Sequence, residues 1–424
     1  MHKKFILFFI LLPFSFSIAF AGANRTTVRG RYTSSEIQGK PKIFIEGVRL
    51  DMDYLRRNMR FVDFVNDPAV SDIHIIINSQ TSGSGGRVYS IRFISRTFEN
   101  FSEYTITATT ASSDTEEESR KKITDALILG VMPFINESGE SGNLSIRYQS
   151  DGDEETKNVE TVDPWNHWTF RGDFNGGINA EERRKNYDYS INLRADQVTE
   201  KWKLRNSAFV SVRTTKIKND DKLYTSERVS NNFSSSVIRS LTERWSTGTF
   251  INYSRNNYTN FQYSVSAKPA IEYNIFPWDI SDRKVFTMAY YIGPIWSKYY
   301  EETLYGKFDE FLWQQTIRLD LQLVETWGEI NAELRASNYL HDFSKNNISL
   351  DTRLSIRIVR GISVNFRFNI EKIQDQIYLP KGEASLEDVL LNNVQLPSSF
   401  EIGADVGLRI QFGSIYNNIV NNRL

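Results

Sequence analysis

Few residues in this chain could carry chemistry. Four histidines and no cysteine occur in 424 residues. Without a thiol there is no disulfide, thiolate nucleophile or thiolate ligand. His2 stands at the N-terminus, His74 in the apolar run DIHIIIN, His167 between Trp165 and Trp168, and His341 beside Asp342. His341-Asp342, with Ser337 and Ser344 nearby, supplies a base, an acid and a nucleophile, the residue types of a hydrolase. Strand alternation gives no assurance that the two serines face one side. Metal sites need clustered His, Cys or carboxylates. Asp151, Asp153, Glu154 and Glu155 cluster, but inside the polar run QSDGDEETKNVETV, the composition of a solvated linker. Residues 81–86 (TSGSGG) are glycine-rich without the Lys-Ser/Thr ending of a phosphate loop, which leaves a hairpin turn. No cofactor is implied, and no enzyme is expected. With 51 basic against 52 acidic side chains, there is no footprint for nucleic acid.

The charges inform more by spacing than by clustering. From Trp168 onward the apolar period is two. Phe400, Ile402, Ala404, Val406, Leu408, Ile410 and Phe412 alternate with Glu401, Gly403, Asp405, Gly407, Arg409 and Gln411. Residues 311–323 do the same, with Gln314, Thr316, Arg318, Asp320 and Gln322 on the polar side. Such alternation describes two-sided strands. About twelve segments follow it, starting near 168, 187, 202, 228, 245, 261, 285, 309, 327, 347, 362 and 399. Their length of roughly 10–16 residues exceeds soluble strands and suits a tilted membrane crossing. The expected fold is therefore mainly β, a transmembrane antiparallel β-barrel of about twelve strands. Its inward face carries charges of both signs, among them Arg318, Asp320, Arg353, Arg357, Arg367, Glu401, Asp405 and Arg409. Arg171, Asp173, Arg194, Lys203, Arg205, Lys268, Glu272, Glu329, Glu333, Arg335, Asp351 and Glu371 belong to the same set. Ion pairs across a narrow lumen are expected to fill it.

Three further patterns bear on the membrane. Every second connection should be a compact periplasmic turn: residues 197–200, 241–244, 277–284, 325–326 and 359–361. The others include longer segments at 215–227 and 371–398. Tryptophan favours the membrane–water interface, and Trp168, Trp202, Trp245 and Trp327 each open an upward strand, with Trp278 in a periplasmic turn. These five form the expected interface girdle. The last strand carries polar-x-Gly-x-x-apolar-x-apolar at Asp405, Gly407, Ile410 and Phe412, a pattern that barrel assembly machinery reads.

Residues 1–21 have the basic start, apolar stretch and small-x-small ending of a secretory signal, with cleavage after Ala21 or Ala23. Residues 22–148 form a mixed α/β unit expected in the periplasm. Strands are expected at 42–46, 72–78, 87–95 and 103–110, and residues 143–148 as a closing strand. A helix is expected over 52–66, and a clearer one over 114–134 with Ile123, Ala126, Leu127, Leu129, Val131 and Met132 on its buried face. Residues 149–164 are an acidic linker, 165–413 the barrel and 414–424 a tail.

The segment 244–378 resembles the salt-induced outer-membrane protein family of β-barrels. The whole chain resembles larger outer-membrane proteins with a similar front domain, through RFVDFVNDPAVSDIHIIINSQTSGSGGR and IQFGSIYNNIVNNRL. The resemblance implies outer-membrane residence and a barrel, but supplies no substrate or catalytic residues. The expectation is a non-enzymatic envelope protein whose periplasmic domain docks a partner or gates the pore. Its partners would be outer-membrane lipid, the assembly machinery and an unidentified periplasmic component. A narrow solute channel is the alternative, and a surface hydrolase at His341 the third reading.

Overall fold

A computed structural model describes residues 39–83, 85–98, 103–139, 163–219, 222–359, 361–382 and 395–410, with 414, 416 and 418. The proposed signal, the linker run, the strand expected at 143–148 and Phe412 lie outside the described residues.

The front unit contains β1 (Lys42–Gly47), α1 (Met52–Asn58), β2 (Asp63–Phe64), β3 (Ile73–Thr81), β4 (Arg87–Ser95), β5 (Tyr104–Thr110) and α2 (Glu116–Glu137). The sheet order is β2-β1-β3-β4-β5, with β1 parallel to β2 and β3, and the rest antiparallel. Thr115 caps α2 in a reciprocal capping box with Glu118, and Glu116–Glu118 complement the helix dipole. Helix α2 lays Ile123, Leu127, Val131, Phe134 and Ile135 on the odd-numbered face of β3 and β4, where Ile73, Ile75, Ile77, Ile91 and Phe93 are fully buried. A side chain at Gly130 would collide with the Phe93 ring at 2.0 Å, so glycine permits the close approach of helix to sheet.

Two expectations change here. Leu129 points away from the core and is 66 % exposed. The helix expected over 52–66 stops at Asn58, because Asp63 and Phe64 find a ladder partner in Lys42 and Ile43. Met59, Val62 and Phe64 are still buried, from the helix cap, a bend and the short strand β2 in turn. Apolar spacing alone did not distinguish these from a longer helix.

The second sheet is a meander of twelve antiparallel strands in chain order. They are β6 (Trp168–Ala180), β7 (Arg184–Val198), β8 (Trp202–Asn219), β9 (Lys222–Ser240), β10 (Trp245–Asn256) and β11 (Phe261–Asn274). Then come β12 (Lys284–Tyr299), β13 (Asp309–Glu325), β14 (Gly328–Tyr339), β15 (Asp342–Val359), β16 (Ile362–Ile373) and β17 (Phe400–Ile410). The mainly β class with its twelve strands and smaller α/β unit matches the expectation. Among the described residues β6 and β17 do not pair with each other, so the sheet is open along that edge.

The connections nearest the front unit, after β7, β9, β11, β13 and β15, fall where compact turns are expected. The far-end hairpins differ. β7, β9 and β15 start at 184, 222 and 342, and β8 runs to Asn219, so residues 215–219 and 222–227 are paired strand. Backbone pairing holds these extensions although Lys216, Lys218 and Thr225 interrupt the face that is apolar along the rest of β8 and β9, while Ile217 pairs with Tyr224 on the other. The apolar phase that locates the rest of each strand in the sequence is lost there.

Candidate functional site

The register fixes which side chains share a face. Thr287, Asp320, Glu333, Asp351, Asn369 and Gly403 follow one another as pairing partners across β12 to β17. In the same way Arg353 pairs in register with Arg367 and then Asp405, Glu371 with Glu401, and Ser363 with Arg409. Paired residues project to the same side, so Arg318, Asp320, Arg353, Arg367, Glu401, Asp405 and Arg409 all lie on one face. The opposite face carries Phe170, Phe174, Ile178, Ile191, Val210, Val237, Ile251, Val265, Ile271, Ile317, Phe366, Ile402, Val406 and Ile410, each exposed. A contiguous apolar surface of this extent is abnormal for a protein in water.

On the charged face, ion pairing is local. Arg318 binds Asp320 at 2.9 Å and Glu333 at 3.0 Å, and Glu333 also takes Arg335 at 3.0 Å. These pairs run along β13 and to its neighbour β14. Among the described residues Arg353, Arg367, Glu401, Asp405 and Arg409 make no ion pair, and Arg353, Arg367 and Asp405 line a cavity of about 530 Å³. The expected cross-lumen pairs are not made by these five residues among those described, and Arg353 stands in register with a like charge, Arg367.

The near end is covered by the front unit. Even-numbered residues of β1, β3 and β4 form its second face, where Ile76 is 1 % and His74 2 % exposed. His74 Nε2 meets Glu46 Oε1 at 2.7 Å, and the other carboxylate oxygen of Glu46 accepts from Arg357 of β15 at 2.5 Å. The Arg357 guanidinium also lies 5.3 Å from the Phe44 ring centre. Burial alone would raise the Glu46 carboxyl pKa, but His74 and Arg357 outweigh it and hold it below the ordinary value. Buried Arg92 lies 3.3 Å from Glu103 and 3.8 Å from Glu325 of β13, Arg283 reaches Glu103 at 3.4 Å, and Gln80 donates to the Ser281 carbonyl at 2.9 Å. At the β3–β4 hairpin, Thr169 of β6 donates to the Gly83 carbonyl, and a side chain at Gly83 would strike Val198 of β7 at 2.7 Å. One small unit therefore touches the ends of β6, β7, β13 and β15 and the β11–β12 turn.

The far end has its own cover. After β16 the chain crosses to β10, β11 and the β12–β13 loop: Asn260 donates to the Tyr378 carbonyl at 2.9 Å, and Leu304 N–H to the Leu379 carbonyl at 2.9 Å. Ile377 and Leu379 are buried there with Tyr299 and Tyr339. Burial raises the Asp375 pKa despite its bond from Asn347 at 3.3 Å.

Trp168, Trp202 and Trp245 are the first residues of β6, β8 and β10, Trp327 immediately precedes β14, and Trp278 sits in the β11–β12 turn. All five stand at the near end. Asp405, Gly407 and Ile410 lie on β17, the final edge strand. The hydrolase grouping is scattered. Ser344 donates to Asp342 at 2.6 Å, Ser337 projects from the charged face of β14, and His341 contacts the Tyr339 ring. His341 hydrogen-bonds neither serine among the described residues, which also contain no group of three or more potential metal ligands.

Glu46, Arg92 and Glu103 were missed in the sequence as site residues. Their signal was the unbroken run IHIII of β3, since a strand apolar at every position must be covered on both faces. No protein-family model matches the chain, and no curated protein matches it.

Proposed function

We propose that this chain is an outer-membrane β-barrel, with the apolar face of the large sheet against lipid and the charged face toward the lumen. The periplasmic front domain acts as its inner gate. The strand lengths, the tryptophan end and the resemblance to the salt-induced outer-membrane family support residence in that membrane. The observation that carries the gate is the single front unit spanning the ends of four strands and the β11–β12 turn, latched through Glu46 and Arg357. The segment after β16 covers the other end, so the resting protein conducts poorly. The role read here is in passage or docking.

The unpaired Arg353, Arg367 and Asp405 around their cavity favour a second reading, a narrow channel for small polar solutes. Single-channel recording of full-length protein in planar bilayers separates the two. The gated reading expects little steady conductance from wild type and frequent openings from the double variant Glu46→Ala/Arg357→Ala. A large, steady wild-type conductance contradicts the gate and supports the open channel.

A further inference from the structure

At the side of the front unit, α1 ends in Arg56 and Arg57, Arg60 follows, and Lys40 approaches from the start of β1. The four cations line one cavity of about 560 Å³. That size suits a small ligand. The C-terminal tail closes one wall. Asn418 accepts from the Phe64 N–H at 2.6 Å and donates to Asp63 at 2.8 Å, joining segments more than 350 residues apart.

The charge in this cavity is poorly compensated. Among the described residues Lys40, Arg57 and Arg60 have no hydrogen bond or ion pair, while Arg56 binds Asp53 at 2.8 Å. The Arg56 side chain is only 11 % exposed, and its Nε is buried without a partner. Asp63 is the one carboxylate in the lining and is already engaged by the Asn418 amide. Attraction to the C-terminal dipole of α1 accounts for Arg56 and Arg57. It does not account for Lys40 and Arg60 converging on the same space. Guanidinium groups present paired donors that match phosphate oxygens, and several cations around one cavity match a multiply charged anion.

We infer that this cavity binds a phosphate group, carried either by a free anion or by a lipid headgroup. Lys40, Arg57 and Arg60 supply the charge, the buried Arg56 Nε–H a fixed donor, and Asn418 the wall that shapes the site. The site is separate from the gate contacts at Glu46 and Arg92.

The test is calorimetric titration of the full chain in zwitterionic detergent with two probes, inorganic phosphate and monomeric dihexanoyl phosphatidic acid. Wild type should bind at least one, and Arg57→Gln/Arg60→Gln should weaken that binding by about tenfold or more, roughly the loss of one strong charge-assisted contact. Asn418→Ala, which keeps all four cations, should weaken it less. Gel mobility with and without heating checks that the variants fold. If both probes bind equally, a free phosphate source suffices, and if only the lipid binds, the headgroup is the ligand. Binding of neither probe, or equal binding by wild type and the double variant, overturns the inference.

Discussion

The two sheets of this molecule use the same residue types in opposite senses. In the front unit the apolar side chains face inward, with Phe93, Leu127 and Phe134 fully buried beneath α2. In the large sheet the apolar side chains face outward, with Phe174 72 % and Val406 70 % exposed, while the charges share the other face. A strand of alternating polarity is compatible with either arrangement. What differs is the cover each apolar face has: a packed helix for the first and, on the proposed outer-membrane reading, lipid for the second. On that reading, an apolar residue stabilises one half through packing and the other through partitioning.

The sharpest way to break this comparison is in the front core. Phe93→Ala should destabilise the front unit by about 3–5 kcal/mol, read as a lowered midpoint in denaturant. Phe174→Ala on the large sheet should cost far less, because no protein packs around it. Equal losses would mean that the large sheet is packed against something else.

Polarity inverts the ranking. Ile317→Arg places a charge on the apolar face of β13 and should cost about 2–4 kcal/mol at mid-membrane depth, seen as a smaller heat-modifiable fraction in envelopes. The neighbouring Thr316→Arg, on the charged face, should fold normally. A similar loss at both positions would contradict the two-sided reading.

A smaller effect belongs to the ion-pair cluster. Arg318→Ala leaves Asp320 and Glu333 facing each other, and at their partial exposure the cost is of order 1 kcal/mol. Restoring neutrality with Arg318→Ala/Asp320→Asn/Glu333→Gln should recover most of it. A triple variant no better than the single would show that the cluster contributes packing and not charge balance.

The Glu46 latch adds a pH dependence. Its folded pKa is held below 4.5, so its stabilising contribution is complete above that value and fades as the pH falls through the folded pKa. Contact between the front unit and β15 should loosen only once the pH falls below the ordinary carboxylate range. Glu46→Gln should remove that pH dependence. It is checked by amide exchange at residues 355–358, and unchanged protection in acid would rule out the latch.

What was legible from sequence follows the same division. Alternation at β13 and β17 exposed the inward set of charges, since one register slip would reverse every side chain. Where the apolar phase is lost, as at Lys216, Lys218 and Thr225, the strand ends were invisible although these residues are paired in the ladder. The Glu46–Arg357 contact joins positions 311 residues apart, and no local pattern encodes it. Only the doubly apolar β3 hinted that a second surface covers the front sheet. The cavity beside α1 was hidden for the same reason, because Asn418 reaches it from the other end of the chain.

The central claim is that the large sheet has one face in lipid and one in a polar interior. The absence of cysteine permits a clean test. Each of residues 316–321 on β13 is replaced in turn by cysteine, spin-labelled, and the protein reconstituted in lipid bilayers. Collision with oxygen, which concentrates in lipid, should peak at 317, 319 and 321 and fall at 316, 318 and 320. A flat profile, or peaks at the even positions, would contradict the account.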